Sequence, residues 1–366
     1  MVWDWRLSSL SHSDGHPAGA IGQGVPRFFA GKRVLVTGAG GSVGSAVTMA
    51  LAGFGCANLA LLDFHDHDLV DIVERAGAVA GAERVVEILC DIRNFEHVSA
   101  WVARVEPDIV IHTAALKHVH LGERHPAQCV LTNLIGARNV LHAAVAAGAG
   151  QFLLVSTDKA AEPVCVMGAS KRRAELYLTG FQMERQCTTA LKSVRFGNVY
   201  GSQGSVAPRF AARIEAGEPL KVTHPDMQRY FISIEDSVAL ILNVAALDDE
   251  SGRSGTYLME MGELVSIMDL ARDMIARSGK DIDIEVTGMR PGEKLREVLF
   301  DAYEAVIPSA LENVYRVTPA SANAYVVSAD LAQLEALANS GDDALIRRRV
   351  FAYLDARLGR HEAVTG

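Results

Sequence analysis

The chain has 366 residues, 49% hydrophobic and 22% charged, with a formal net charge of −9. At roughly 150 residues per domain that is two units, or one large domain with an appendage, with ample apolar content for a core. The acidic balance excludes a general nucleic-acid surface, which needs a basic face, and leaves room for a locally basic pocket.

Residues 1–30 lack the basic start and apolar core of a signal peptide and are expected to form an arm that packs on the body or is partly loose, with packing the simple reading of Trp3 and Trp5. Arg33 to Val36 then make a short β-branched strand. The turn Gly38-Ala39-Gly40-Gly41 follows, and a small, apolar helix begins at Ser42-Val43-Gly44. Gly38, Gly41 and Gly44 suit a sharp turn, close approach to a pyrophosphate and tight helix–strand packing, with free helix N–H groups facing the phosphates. Asn58 to Leu62 form a second strand that ends in Asp63, 19 residues after Gly44, where a carboxylate accepts hydrogen bonds from an adenosine ribose. Phe64 and His65 follow it rather than an arginine. That favours NAD over NADP, because Asp63 would repel a 2′-phosphate. His65 and His67 are two apart and cannot share a helix face, so Asp66 as a helix N-cap is the simpler reading.

Arg84 to Asp91 read as a third strand, whose terminal Asp91 either caps the following turn or bonds an adenine amino group. A helix over 94–105 follows, and Pro107 to Ala115 form a fourth strand whose tip, Ala114-Ala115, is small enough to lie under a cofactor. A long helix covers 126–148. Gln151 to Thr157 form the fifth strand, 167–184 a helix, and Ala190 to Arg195 the sixth strand. The strand–helix period predicts an α/β fold: a doubly wound parallel sheet of Rossmann type, with the ligand at the carboxyl edge of its strands.

From about 200 the elements shorten. A strand near Tyr230–Ile234, a capped helix to Leu247, strands at 256–261 and 282–286 and a helix at 266–278 predict a smaller mixed α/β substrate-binding region. It should cover the cleft, with some segments returning to the sheet. The expected division is therefore 1–30, 31–200 and 201–366. The five cysteines (Cys56, Cys90, Cys129, Cys165, Cys187) are scattered and contain no Cys-x-x-Cys pair. They read as free thiols in a reducing cytoplasm, with no metal site. No continuous apolar run approaches the ~18–20 residues of a membrane helix.

The fifth strand opens into Ser156-Thr157-Asp158-Lys159. Adjacent Asp158 and Lys159 perturb each other, and one can serve as acid and the other as base. Met167 and Lys171 lie four apart and share one helix face.

Several strings carry a resemblance across about 28–300: Thr37–Ser45, Ala114-Ala115-Leu116-Lys117-His118-Val119, Ser156–Ala160 and Val166–Arg172. Val194–Val199, Gly204-Ser205-Val206, Thr223–Met227 with Arg229-Tyr230-Phe231, and Arg290–Leu295 extend it. On these the chain resembles the extended short-chain dehydrogenases/reductases, and specifically the bacterial UDP-N-acetylglucosamine 4,6-dehydratases. The superfamily has Tyr-x-x-x-Lys where this chain has Met167 and Lys171. The resembling subgroup also carries Met there, and its Thr-Asp-Lys cluster does the proton chemistry.

By that resemblance Thr157 helps deprotonate the C4 hydroxyl, Lys159 removes the C5 proton and Asp158 protonates the leaving C6 hydroxyl. Lys171 holds the nicotinamide ribose. NAD contacts are implied at Gly38, Gly41, Ser42, Val43, Gly44, Asp63, Asp91, Ile92, Ala114, Ala115, Lys117, Asn133, Ser156 and Lys171. Sugar-nucleotide contacts are implied at Lys117, His118, Asn198, Ser205, Val206, Arg229, Arg290 and Glu293. Glu162-Pro163-Val164-Cys165 and Val119-His120-Leu121-Gly122 depart from the family pattern beside the expected pocket, which leaves the sugar open. Larger relatives carry membrane helices ahead of the nucleotide-binding part; this chain shows none and is expected to be soluble. Helices 126–148 and 167–184 are expected to pair with a second copy as a four-helix bundle.

Overall fold

β1 (Arg33–Thr37) enters the glycine turn and leaves as helix α2 (Ser42–Ala52), after a one-turn helix α1 (Val25–Phe29). The computed structural model describes residues 20–185, 187–248, 254–319 and 328–358, so Trp3, Trp5 and most of the expected arm lie outside the described residues. β2 (Asn58–Asp63), α3 (Asp66–Ala80), β3 (Val85–Leu89), α4 (Phe95–Val105) and β4 (Ile109–His112) follow in strict alternation. His65, not Asp66, is the N-cap of α3. Asp66 is its first helical residue and accepts from the His67 amide at 2.8 Å.

After α5 (Val119–Arg124), the predicted 126–148 helix is α6 (Pro126–Val130), a π-helical stretch over Leu131–Gly136, and α7 (Ala137–Ala146). It is long and apolar enough to cross a membrane, yet 67% of its apolar window is buried inside the protein. It is therefore a core helix. β5 (Gln151–Val155), α8 (Val166–Arg185) and β6 (Ala190–Arg195) complete the predicted alternation.

The main sheet has nine strands, ordered 304–308, 314–319, 254–259, β6, β5, β4, β1, β2, β3. β1 to β6 and Ser254–Met259 run parallel; the hairpin Glu304–Pro308/Val314–Pro319 extends the sheet antiparallel. The order reverses between β1 and β4, and that switch point opens the ligand crevice. Alternation along β1 sets the layers: Val34 and Val36 pack under α2 and α3, while Leu35 packs under α4, α7 and α8. The helix Ile234–Ala246 returns to the α2 layer. A satellite core of Phe210, Ile214, Leu220, Leu270 and Met274 joins helices Val206–Ala216 and Ile267–Ser278 above the crevice.

The helices Ser328–Ser340 and Asp343–Leu358 lie against α6 and α8, burying Leu331, Leu334, Ile346 and Val350 in the main core. Arg138 Nη2 donates to Glu335 at 3.0 Å, and the Arg173 guanidinium stacks 4.3 Å over Tyr353. The C-terminal helices thus cover part of α6 and α8.

A buried ion network binds α8 and β6 to the hairpin. Arg195 donates to Glu175 at 2.8 and 2.6 Å and to Glu304 at 2.8 and 2.9 Å, and Arg172 pairs with Asp301 at 2.9 Å. Burial opposes the Glu304 charge, but Arg195 and Arg172 outweigh it and hold the carboxyl down to about 2.

Candidate active site

The crevice at the switch point is a single cleft of about 1000 Å³. Its floor is the glycine turn. A Cβ on Gly38 would stand 2.6 Å from the Ala114 amide nitrogen, and one on Gly44 would stand 2.0 Å from the Gly38 carbonyl oxygen. Only glycine lets β1, α2 and the β4 tip approach this closely. Gly38 also has φ +70°, a region other residues enter with strain. The N-terminus of α2 (Gly41, Ser42, Val43) lines the same space.

Asp63 lines the adenosine end. Its Oδ2 accepts from the Gly40 amide at 2.9 Å, and its Oδ1 from Phe64 and His65 at 2.7 and 3.0 Å. The carboxylate thus fixes the glycine loop. Asp91 caps the following turn: its Oδ1 accepts from the Arg93 amide and side chain, each at 2.9 Å. Asp91, Ile92 and Arg93 still line the cleft. Asn133 does not. It bridges Leu116 (2.8 and 3.0 Å) to Ser170 Oγ (3.1 Å), pinning the β4 loop to α8 from the π-helical turn. π-Helical turns recur at functional sites.

Ser156 lines the cleft, and its buried hydroxyl has no partner within the protein. A buried polar atom left open to a ligand, beside a glycine cradle and a free helix N-terminus, fits a dinucleotide. Lys171 Nζ donates to the Val155 carbonyl at 2.9 Å, and burial pushes its pKa down to about 8. Met167, one turn earlier, faces the same cleft and offers no proton.

The Thr157-Asp158-Lys159 cluster forms around one oxygen. Asp158 Oδ1 accepts from Thr157 Oγ1 and from Lys159 Nζ, both at 2.9 Å. Thr157 and Lys159 line the cleft, whereas Asp158 is 0% exposed and sits behind them. Within the protein, Asp158 meets the cleft through its contacts with Thr157 and Lys159 rather than by lining it. Lys159 Nζ also donates to Asn198 Oδ1 at 3.0 Å.

At the far end Lys117, His118, Ser205, Val206, Arg229, Arg290 and Glu293 all line the cleft. Arg229 is mainly a clamp, donating to the Gln228 and Lys294 carbonyls at 2.7 and 2.9 Å. Glu293 accepts from the Arg290 amide at 3.0 Å and shapes that turn. Burial lowers the Lys117 pKa; burial, then Lys117, His120 and Arg209, lower that of His118. Sequence reasoning missed Arg209, Arg213 and Lys221, which complete a cationic rim. Arg209 and Arg213 sit four apart on Val206–Ala216, a spacing that signals one shared face. Among the described residues no group of His, Cys, Asp and Glu could hold a metal ion.

The sheet order, glycine cradle and cleft define a doubly wound nucleotide-binding protein of the short-chain dehydrogenase/reductase class. Within it the chain belongs to the polysaccharide biosynthesis protein family, whose model matches residues 34–319. It is 38% identical over 296 residues (80% of this chain, 49% of the relative) to the capsular polysaccharide biosynthesis protein CapD of Staphylococcus aureus. The chain thus spans about half the length of that relative, and 46% of the EpsC protein of Bacillus subtilis. It is 32% identical to a UDP-N-acetylglucosamine 4,6-dehydratase (inverting) of Campylobacter jejuni, over 80% of this chain and 84% of that one. A UDP-glucose 4-epimerase of Rickettsia canadensis also matches at 32%, over 79% and 84%. The solved structure of Pen from Bacillus thuringiensis superposes with a TM-score of 0.73 at 29% identity, over 80% of this chain and 90% of that one.

Proposed function

We propose that the protein is an NAD-dependent nucleotide-sugar 4,6-dehydratase acting on UDP-N-acetylglucosamine or a related UDP-sugar. One observation carries this reading: Thr157 and Lys159 line the cleft and share the buried Asp158 carboxylate, while Met167, which cannot take a proton, lines the same cleft. Simple oxidation and re-reduction at C4 needs one base. Loss of water across C5–C6 needs a second acid–base function.

The glycine cradle, α2, Asp63, Ser156 and Lys171 would hold NAD, which would supply a hydride acceptor for C4 and a hydride source for C6. The chain's own groups then manage the protons. Thr157 Oγ takes the C4 hydroxyl proton as its own passes to Asp158 Oδ1, so Asp158 becomes a carboxylic acid. Lys159, entering as the ammonium, gives a proton to the departing C6 hydroxyl and takes one from C5. After the C5 proton is returned, Asp158 passes its stored proton to Lys159 Nζ across their 2.9 Å contact. The water lost combines the C6 hydroxide with one proton, the C4 hydroxyl proton replaces it on the protein, and Lys159 and Asp158 finish as they began. The cationic rim of Lys117, Arg209, Arg213 and Arg290 suits a diphosphate, because guanidinium forks match phosphate oxygens.

The epimerase reading rests on the Rickettsia relative and requires the C6 hydroxyl to survive. Incubation with UDP-, GDP- and dTDP-sugars, followed by mass spectrometry, separates the two. We expect one UDP-sugar to lose one water, and turnover without mass change would sink the dehydratase reading. Replacing Asp158 or Lys159 singly is expected to abolish water loss while NAD stays bound.

A further inference from the structure

Behind Lys159, out of reach of the cleft, lies a carboxylate that the cycle above does not use. Glu297 is 4% exposed. Its Oε1 stands 3.6 Å from Lys159 Nζ and 3.9 Å from Arg229 Nε, and its Oε2 stands 3.6 Å from Lys294 Nζ. No hydrogen-bond partner satisfies Oε2, although it is buried. Such a charge is costly unless its neighbours require it. The segment carrying it is fastened at Lys294, whose Nζ donates to the Ala161 carbonyl at 2.9 Å, and by the Arg229 clamp.

We propose that Glu297 is a positioning residue that acts through Lys159: from behind the cleft it holds Lys159 as the ammonium, turned to donate, at the start of each turnover. The assignment rests on the dehydratase reading for its purpose and on the charge geometry for its effect. The groups facing Lys159 are Asp158 from its own turn, Glu297 from the 294–297 segment, Arg229 from the short strand at 228–229, and the Cys165 thiol from the loop before α8, with Lys294 on the other oxygen of Glu297. Burial lowers the Lys159 pKa and Arg229 adds to that, but Asp158 and Glu297 outweigh both and leave it raised. When Asp158 takes up the C4 proton, one of these two carboxylates is neutralised. Glu297 is then the sole charge retaining the ammonium proton until the C6 hydroxyl takes it. C4 oxidation thereby loosens the Lys159 proton, which orders oxidation before elimination.

The test titrates Lys159 directly, by carbon-13 NMR of protein labelled at lysine Cε, with Lys159→Arg assigning the signal. Alongside it runs the pH profile of kcat. Glu297→Gln keeps the shape and removes the charge. Its Lys159 titration is expected to fall by about one unit or more, with the alkaline limb of kcat moving by the same amount and KM little changed. Glu297→Asp should restore most of the shift. Lys294→Met removes a competing cation and should move the titration the other way, which keeps the test decisive if Glu297→Gln fails to fold. An unmoved Lys159 titration in both variants overturns the proposal. A titration that moves while kcat does not follow overturns the role in turnover. Absence of water loss by the unaltered protein would instead defeat the dehydratase reading, with the titration still deciding whether Glu297 holds the proton.

Discussion

Gly168 joins the helix that carries Met167 and Lys171 to the turn that carries Asp158 and Lys159. A Cβ built on it would stand 2.1 Å from the Lys159 carbonyl oxygen, 2.9 Å from its carbonyl carbon and 3.3 Å from Cys165 Sγ. An unrepulsive contact needs roughly 3.4 Å, so in Gly168→Ala the helix and the turn must part by roughly 1.3 Å. Both obstructing atoms are backbone, and no side-chain rotation relieves them. Overpacking of this kind costs about 1–3 kcal/mol of stability. A misplacement near 1 Å in a catalytic constellation costs about a hundredfold in rate. The variant is therefore expected to fold with a lowered Tm, to bind NAD with little change through the distant glycine cradle, and to lose about a hundredfold in kcat. Calorimetry for NAD, a denaturation scan and a turnover assay on the nucleotide sugar read these separately. Unaltered kcat in the folded variant would refute the claim that α8 and the Asp158–Lys159 turn act as one rigid unit.

Asp63→Ala removes the acceptor of three amides at the adenosine end and should weaken NAD by about tenfold or more, measured by calorimetry. An unchanged Kd would show that Asp63 serves the loop alone. Glu304, held down to about 2 from an ordinary 4.5, stabilises the fold above its unfolded value, and that contribution is lost as pH falls from about 4.5 towards 2. Urea titrations should show an acid loss on the order of 3 kcal/mol, absent in Glu304→Gln; equal acid sensitivity in both proteins would contradict the network. Leu334→Asp places an unpaired charge in the core beneath the C-terminal helices and should destabilise by about 3 kcal/mol or more. A urea midpoint equal to the parent's would show that those helices do not cover α6 and α8 as described.

The alternation of β1 to β6 with their helices was readable because strands buried on both faces are continuous apolar runs, and Gly38 to Gly44 placed the crevice on one of them. The hairpin 304–319 was not readable. Ala305-Val306-Ile307 forms an outer strand that is largely exposed, and without a known neighbour its pattern is that of a loop. Charged residues misled most. In α8, Arg172, Arg173 and Glu175 look like a solvated helix face, yet all are at most 2% exposed because the hairpin and the C-terminal helices close over them. Asp158 and Glu297 show the same limit inside the site. Residue type announced an acid–base cluster, but which members reach the cleft depends on the turn Asp158–Ala160 and on a segment far along the chain. The resemblance named about half of the cleft lining. Arg209, Arg213 and Lys221 came only from the fold.

The dehydratase reading is tested most directly by turning over UDP-N-acetylglucosamine in heavy water and following the product by proton NMR. A C6 methyl signal, with deuterium incorporated at C5, is the expected result, because Lys159 exchanges the C5 proton it removes. A product that keeps its C6 hydroxyl and differs only at C4 would contradict the account.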